Sequence, residues 1–194
     1  MTTLAILGGT PEISQPFAPY NRIGEAERAA ADRVLTTGVL SGFVGAQGPD
    51  FNGGPEVQAL ESEWCATFGA QHAISVNSAT SGLYAALGAA QIGPGDEVIV
   101  PPYTMSATAM APLVYGAIPV FADIEEDTFC LDPVQVRRMI GVKTRAILAV
   151  NLFGHPARLH ELRALADEKG LLLIEDNAQA PLATEFDRYA GTVG

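Results

Sequence analysis

Apolar and polar positions change their pattern near residue 70 of the 194-residue chain. Upstream, glycine and proline are dense and apolar stretches are short. A loop containing Pro11, Pro16 and Pro19 leads into a helical pattern from about Glu25 to Leu35, with Gly38 just past its end as a stop signal. Six glycines between Gly38 and Pro55 predict an irregular loop, and long loops of this kind are often functional. A second helical pattern runs from about Glu56 to Phe68.

Downstream, short apolar runs alternate with helical patterns. Ala73–Val76, Glu97–Val100, Pro119–Ala122, Arg145–Val150 and Leu171–Ile174 read as five strands. The segments between them read as helices: Ser78 to Ala90, Ser106 to Tyr115 with Pro112 inside it, an Asp132-capped helix with Pro133 at its first position, and Arg158 to Lys169. Continuous apolar strands joined by helices predict an α/β fold, a mostly parallel sheet with helices on both faces. The chain then divides into an amino-terminal helical and loop segment, 1–70, and a sheet-bearing segment, 71–194.

Charge and composition narrow the function classes. The 22 acidic residues outnumber 11 basic ones, a net charge of −11. That balance speaks against a non-specific nucleic-acid binder, which needs a basic field to displace counterions. No run of 18 apolar residues exists to span a bilayer, and Met1–Gly8 has no basic leader region, so neither a membrane nor a secretory route is expected. Cys65 and Cys130 lie far apart and read as two buried small apolar residues in a reducing cytoplasm. His72, His155 and His160 are too scattered to form a ligand set, so no metal site is expected.

In sheets of this kind ligands bind beyond the carboxyl ends of the strands. After Val76 comes Asn77-Ser78-Ala79-Thr80-Ser81-Gly82 at a helix start. Its unpaired N–H groups suit a phosphate, and plain capping by Ser78 or Thr80 suits the same residues. After Ile174 comes Glu175-Asp176-Asn177-Ala178-Gln179-Ala180. Side chains alternate along a strand, so the two acids face opposite ways and one can meet a ligand cation; a helix cap is the alternative. After Val100, Pro101-Pro102-Tyr103-Thr104-Met105 can flank a flat ligand or simply pack under the next helix. After Val150, Asn151-Leu152-Phe153-Gly154-His155 offers polar groups around a turn.

These strand ends, with the turn Gly93-Pro94-Gly95-Asp96-Glu97-Val98 and the third strand Pro119-Val120-Phe121-Ala122-Asp123-Ile124, resemble the DegT/DnrJ/EryC1/StrS family of sugar aminotransferases from about Glu25 to Gly194. The resemblance implies the large domain of the aspartate-aminotransferase-type fold (PLP fold type I) and pyridoxal 5′-phosphate as cofactor. It implies a keto-sugar, often nucleotide-linked, or keto-cyclitol substrate, with Glu or Gln as amino donor. A cytoplasmic homodimer is implied for the full-length form. Carried over by position, Ala79 and Thr80 match the phosphate cup, and Asp176 matches the catalytic carboxylate that pairs with the pyridine nitrogen. Gln179 matches the residue near the ring 3-oxygen. Met105 stands where the family places a stacking aromatic; this is a departure, and Tyr103 can supply part of that wall instead.

A second departure concerns lysine. Family aminotransferases carry the cofactor on a Lys beyond a Ser-Phe segment that follows a Gly-x-x-Gly. Gly191-Thr192-Val193-Gly194 matches the Gly-x-x-Gly and closes the sequence. The two lysines, Lys143 and Lys169, each lead into the amino end of a strand. The resemblance thus implies the amino-terminal part of an aminotransferase, truncated before its small carboxyl-terminal domain and inactive as this chain. A PLP-dependent sugar dehydratase of the same family, with His at the Lys position, stays open, as does a non-catalytic remnant or partner subunit. No Gly-x-Gly-x-x-Gly follows a strand, which argues against a dinucleotide site. In the resembling fold two further strands separate Ala73–Val76 from Leu171–Ile174, so the chain alone is expected to be marginal, aggregation-prone or dependent on a partner.

Overall fold

The computed structural model describes residues 3–20, 22–49 and 51–194. The chain forms two compact units, Met1–Pro55 and Glu56–Gly194. In the first, a single 3-10 turn (Ala5–Leu7) precedes helix α1 (Glu25–Thr37). The Gly24 N–H donates to Glu27 Oε2 at 2.6 Å, which satisfies one orphan donor of the first turn and lowers the Glu27 pKa. Gly38 closes α1 in the left-handed region, φ 70°, as the stop signal predicts. The described residues between 39 and 54 form no helix or strand, in line with their glycines. Gly53 is one position where glycine is required: its φ is +83° and a Cβ there would meet the Phe43 ring at 2.8 Å.

The second unit holds helices α2 (Pro55–Phe68, starting one residue before it), α3 (Ala79–Ala89), α4 (Ser106–Val114), α5 (Pro133–Met139) and α6 (Leu159–Lys169). Strands β1 (Glu97–Val100), β2 (Ile118–Phe121), β3 (Thr144–Val150) and β4 (Leu172–Asp176) form one parallel sheet in the order β2-β1-β3-β4. Both faces are covered, as expected of a parallel sheet. Val98, Val100, Ala146 and Leu148 point to a core with Leu83 and Leu87 of α3 and Ala111 of α4, and Ile174 packs at its margin. Ile99, Ile147, Ala149 and Leu173 point to a core with Val136 of α5 and Leu162 and Leu165 of α6. Each fully buried Leu or Ile here contributes roughly 1.5–3 kcal/mol of apolar burial.

Local signals explain the helix ends. Asp132 caps α5 by accepting the Val134 N–H at 2.8 Å, with Pro133 at the first helical position. Gly170 ends α6 at φ 66°. Among the described residues no helix is long and apolar enough to cross a membrane.

Three expectations need correction. Ala73–Val76 is no strand: among the described residues it joins no ladder, and the sheet runs β2-β1-β3-β4 without it. Its Ser75 N–H goes instead to Glu61 Oε1 at 2.7 Å, and Ile74 is 84% exposed. Apolar content gives a segment the capacity to pair, but a strand exists only with a partner. Cys65 is half-buried rather than buried, because α2 has no buried residue, whereas Cys130 is buried and its thiol pKa is raised by desolvation. A hairpin of β5 (Thr184–Glu185) and β6 (Arg188–Tyr189) follows β4 where no element was expected. Glu185 docks it on α6 by accepting the His160 N–H at 2.9 Å and contacting His160 Nδ1 at 2.6 Å. Such short pairing carries no apolar run to announce it.

Arg137 of α5 grips Glu168 of α6 with two bonds, 2.9 and 2.7 Å, and Lys169 adds a second cation. Together they hold the Glu168 carboxyl at a pKa of about 2, Arg137 being the main cause. A depressed carboxylate contributes stability that is present above its unfolded pKa, roughly 4.3. That contribution is lost as pH falls through about 2, and solvent screening keeps it small. Carboxyl-carbon NMR should therefore show Glu168 titrating below the other glutamates, and Arg137→Ala should return it to the common range.

Candidate functional site

Strand alternation decides what the two acids at the end of β4 do. Leu173 belongs to the α5/α6 core and Ile174 lies against the α3/α4 core, so Glu175 takes the first face and Asp176 the second.

Asp176 is buried, 8% exposed. Oδ2 accepts a long bond from the Thr108 hydroxyl at 3.4 Å, and Oδ1 accepts the Ala178 N–H at 3.2 Å. Among the described residues no Lys, Arg or His pairs with it. A buried carboxylate is costly without a partner, and two donors leave lone-pair sites on both oxygens.

The helices on that face start near the same edge. α4 begins directly after the carboxyl end of β1. α3 leads into the amino end of β1, so its own first turn lies toward the carboxyl edge. It packs beside α4 and β4. Ser78 is extended, caps α3 by accepting the Ser81 N–H at 3.2 Å, and so fulfils the capping reading. It uses one donor only. The N–H groups of Ala79, exposed, and Thr80, half-buried, belong to the first turn, where a helix offers no internal acceptor.

Met105 is the N-cap residue of α4, 65% exposed, and makes no side-chain cap. Tyr103 turns toward two other aromatics, with ring centroids 5.3 Å from Phe129 and 6.3 Å from Phe153. Gln179 is exposed, and its Oε1 accepts the Phe153 N–H at 3.3 Å. The structure thus brings Asp176 to the face that α3 and α4 cover, while Gln179 is bonded across to the loop after β3. Lys143 precedes the amino end of β3, and Lys169 ends α6 ahead of β4, so both stand at the opposite edge.

Three roles escaped sequence reading. Asn151 offered a polar group after β3, yet its side chain is fully occupied: Oδ1 accepts the Ala157 N–H at 2.8 Å, and Nδ2 donates to Glu175 Oε2 and Asn177 Oδ1 at 3.2 and 3.1 Å. Glu175 is a clamp. Its Oε2 accepts the Gly191 N–H at 2.6 Å, and its Oε1 accepts those of Val193 and Gly194 at 2.7 and 2.6 Å. Asn177 Nδ2 adds a bond to the Ala190 carbonyl at 2.8 Å. The Gly-x-x-Gly turn is thereby tied to the strand that carries Asp176. Gly191, at φ +88°, lies under the Asn177 side chain, where a Cβ would sit 3.1 Å from Nδ2. No local signal marks a contact between residues so far apart. Thr108 is the third; its partner Asp176 is 68 residues away, and no local spacing marks the contact.

The model of the DegT/DnrJ/EryC1/StrS aminotransferase family matches residues 45–194. The spore coat polysaccharide biosynthesis protein SpsC of Bacillus subtilis (strain 168) is 39% identical over 92% of this chain and 43% of its own length. The dTDP-3-amino-3,4,6-trideoxy-α-D-glucose transaminase of Streptomyces venezuelae is 41% identical over 94% of this chain and 45% of its own. The aminotransferase from Psychrobacter cryohalolentis superposes with a TM-score of 0.83 at 35% identity, over 92% of this chain and 43% of that one. A GDP-4-keto-6-deoxymannose-3-dehydratase, solved with a trapped PLP–glutamate geminal diamine, superposes at 0.78 with 27% identity, over 88% and 43%. The chain spans a little under half the length of these relatives.

Glu175→Ala should release three backbone donors at once, at about 1–3 kcal/mol for each left unsatisfied. Hydrogen exchange should quicken by more than tenfold at Gly191, Val193 and Gly194 while β1 and β3 stay protected. Unchanged exchange there would remove the clamp.

Proposed function

The chain belongs to the DegT/DnrJ/EryC1/StrS aminotransferase family, and on that premise we propose that its Glu56–Gly194 unit binds pyridoxal 5′-phosphate at the carboxyl edge of the sheet. In this reading it is the cofactor-binding portion of an enzyme that moves an amino group from Glu or Gln onto a keto-sugar, often nucleotide-linked, or a keto-cyclitol. The complete enzyme works as a cytoplasmic homodimer.

One observation carries the proposal: Asp176 is a buried carboxylate to which the described residues bring no cation. A protonated ring nitrogen supplies that cation. When bound, the cofactor contributes an electron sink for the carbon that exchanges the amino group. Asp176 holds the proton at the ring nitrogen. The first turn of α3 holds the phosphate through the N–H groups of Ala79 and Thr80 and the Thr80 hydroxyl, favoured by the helix dipole. Met105, exposed at the start of α4, packs its thioether on the ring face. Gln179 has its Oε1 engaged by Phe153, which leaves its amide nitrogen to donate at the 3-oxygen.

The dehydratase of the same family is the second reading, supported by the structural match at 27% identity. The transaminase relative stands at 41%, which favours the first.

Titration of the purified chain with pyridoxal 5′-phosphate, followed by absorbance, should give saturable non-covalent binding. Asp176→Asn should weaken it about tenfold by removing the charge partner, and Thr80→Ala about three- to fivefold by removing one phosphate donor. Lys143→Ala and Lys169→Ala should leave it unchanged. With an amino donor and a keto-sugar added, these 194 residues should form no amino-sugar above a protein-free control. Equal binding by wild type, Asp176→Asn and Thr80→Ala would remove the site.

A further inference from the structure

Thr104 lies just before the N-cap of α4 and Thr108 in its first turn, with their hydroxyl oxygens 2.9 Å from each other. Thr108 is 0% exposed, and its hydroxyl also reaches Asp176 Oδ2 at 3.4 Å. Thr104 is half-buried, between Tyr103 and Met105 in the chain. Two hydroxyls and a carboxylate thus form a chain from the partly exposed start of α4 to a buried acid.

The direction of this chain follows from the number of protons. An ionised carboxylate only accepts. Thr108 has a single hydroxyl proton, and donating it to Asp176 leaves only lone pairs to meet Thr104. Thr104 is therefore the donor in the 2.9 Å contact. The order is Thr104 O–H to Thr108 O, then Thr108 O–H to Asp176 Oδ2. On the other side the Ala178 N–H holds Oδ1 at 3.2 Å. Each carboxylate oxygen is tied once, from a different element, so the plane of the group is set before any ligand arrives. A helix hydroxyl with no such task would bond back to a carbonyl of the preceding turn.

We propose that Thr108 is a positioning residue for Asp176, oriented by Thr104, and that this hydroxyl relay presents the carboxylate to the ring nitrogen of the cofactor. The inference rests on the cofactor reading above and extends it to two residues outside the matched motifs. Thr108 touches no ligand in this scheme; its effect passes entirely through Asp176.

The test is a double-mutant cycle read by pyridoxal 5′-phosphate affinity on the full chain. Thr108→Val removes the hydroxyl at similar size and should weaken binding about fivefold, the loss of one hydrogen bond. Thr108→Ser keeps the hydroxyl and should bind within twofold of wild type. Thr104→Val should cost less than Thr108→Val. On an Asp176→Asn background, Thr108→Val should cost nothing further; a purely structural role for Thr108 would add its loss there as well. A second readout needs no cofactor: the Thr108 hydroxyl proton should be visible by NMR, slowly exchanging, and should shift in Asp176→Asn and in Thr104→Val. Failure of wild type to bind the cofactor would overturn the site reading and this inference together. Binding that weakens in Asp176→Asn but not in Thr108→Val would overturn this inference alone. So would additive losses in the double variant, or a Thr108 hydroxyl signal indifferent to Asp176.

Discussion

The two-residue alternation of β4 is the constraint on which the rest depends. A parallel sheet covered on both faces gives every strand residue one of two destinations. Leu173 and Ile174 spend theirs on the two cores, and that choice commits Glu175 and Asp176 to opposite sides. A register shift of one residue would exchange the two acids. Asp176 would then meet the turn at residues 190–194, and Glu175 would stand in the buried setting beside Thr108. The five-residue pairing of β4 with β3, Ala146 with Leu172 through Val150 with Asp176, holds that register.

Two acids of one strand end therefore divide the labour by geometry. Glu175 is saturated by protein donors: three backbone N–H groups and the Asn151 amide. Asp176 is left with two and, among the described residues, no cation. A carboxylate with all its sites filled is a structural tie; one with sites left over in a buried setting keeps acceptor capacity that the protein does not use. The same logic separates Asn151, whose amide is fully used, from Gln179, which keeps its amide nitrogen.

Ala73–Val76 is the converse case, a segment with the right composition and, among the described residues, no ladder partner. Ala73–Val76 has the apolar residues of a buried strand, yet Glu61 takes its Ser75 N–H and Ile74 faces solvent. Helix α3 still starts at Ser78, because an N-cap is a local event that needs only its own side chain and backbone. Ala79 and Thr80 thus keep their helical setting although, among the described residues, the segment that leads into them joins no ladder.

The sequence by itself determined what depends on neighbours along the chain. Helix limits followed from caps at Ser78, Asp132, Gly38 and Gly170, and the α/β class followed from continuous apolar runs joined by helices. The strand ends with their polar residues marked the sheet edge at which to look, and the family motifs were legible in the residues themselves. Tertiary structure alone decided what depends on partners. It settled which runs became strands, because a ladder needs two edges. It assigned Glu175 to the clamp and Asp176 to the buried face, because alternation has meaning only once register is set. It brought Thr108 to Asp176 and Gly191 to Glu175, since contacts across 68 and 16 residues leave no trace in local pattern. Hydrogen-bond geometry is the physical reason for the difference: short-range donors and acceptors are dictated by spacing, and long-range ones by how the layers pack.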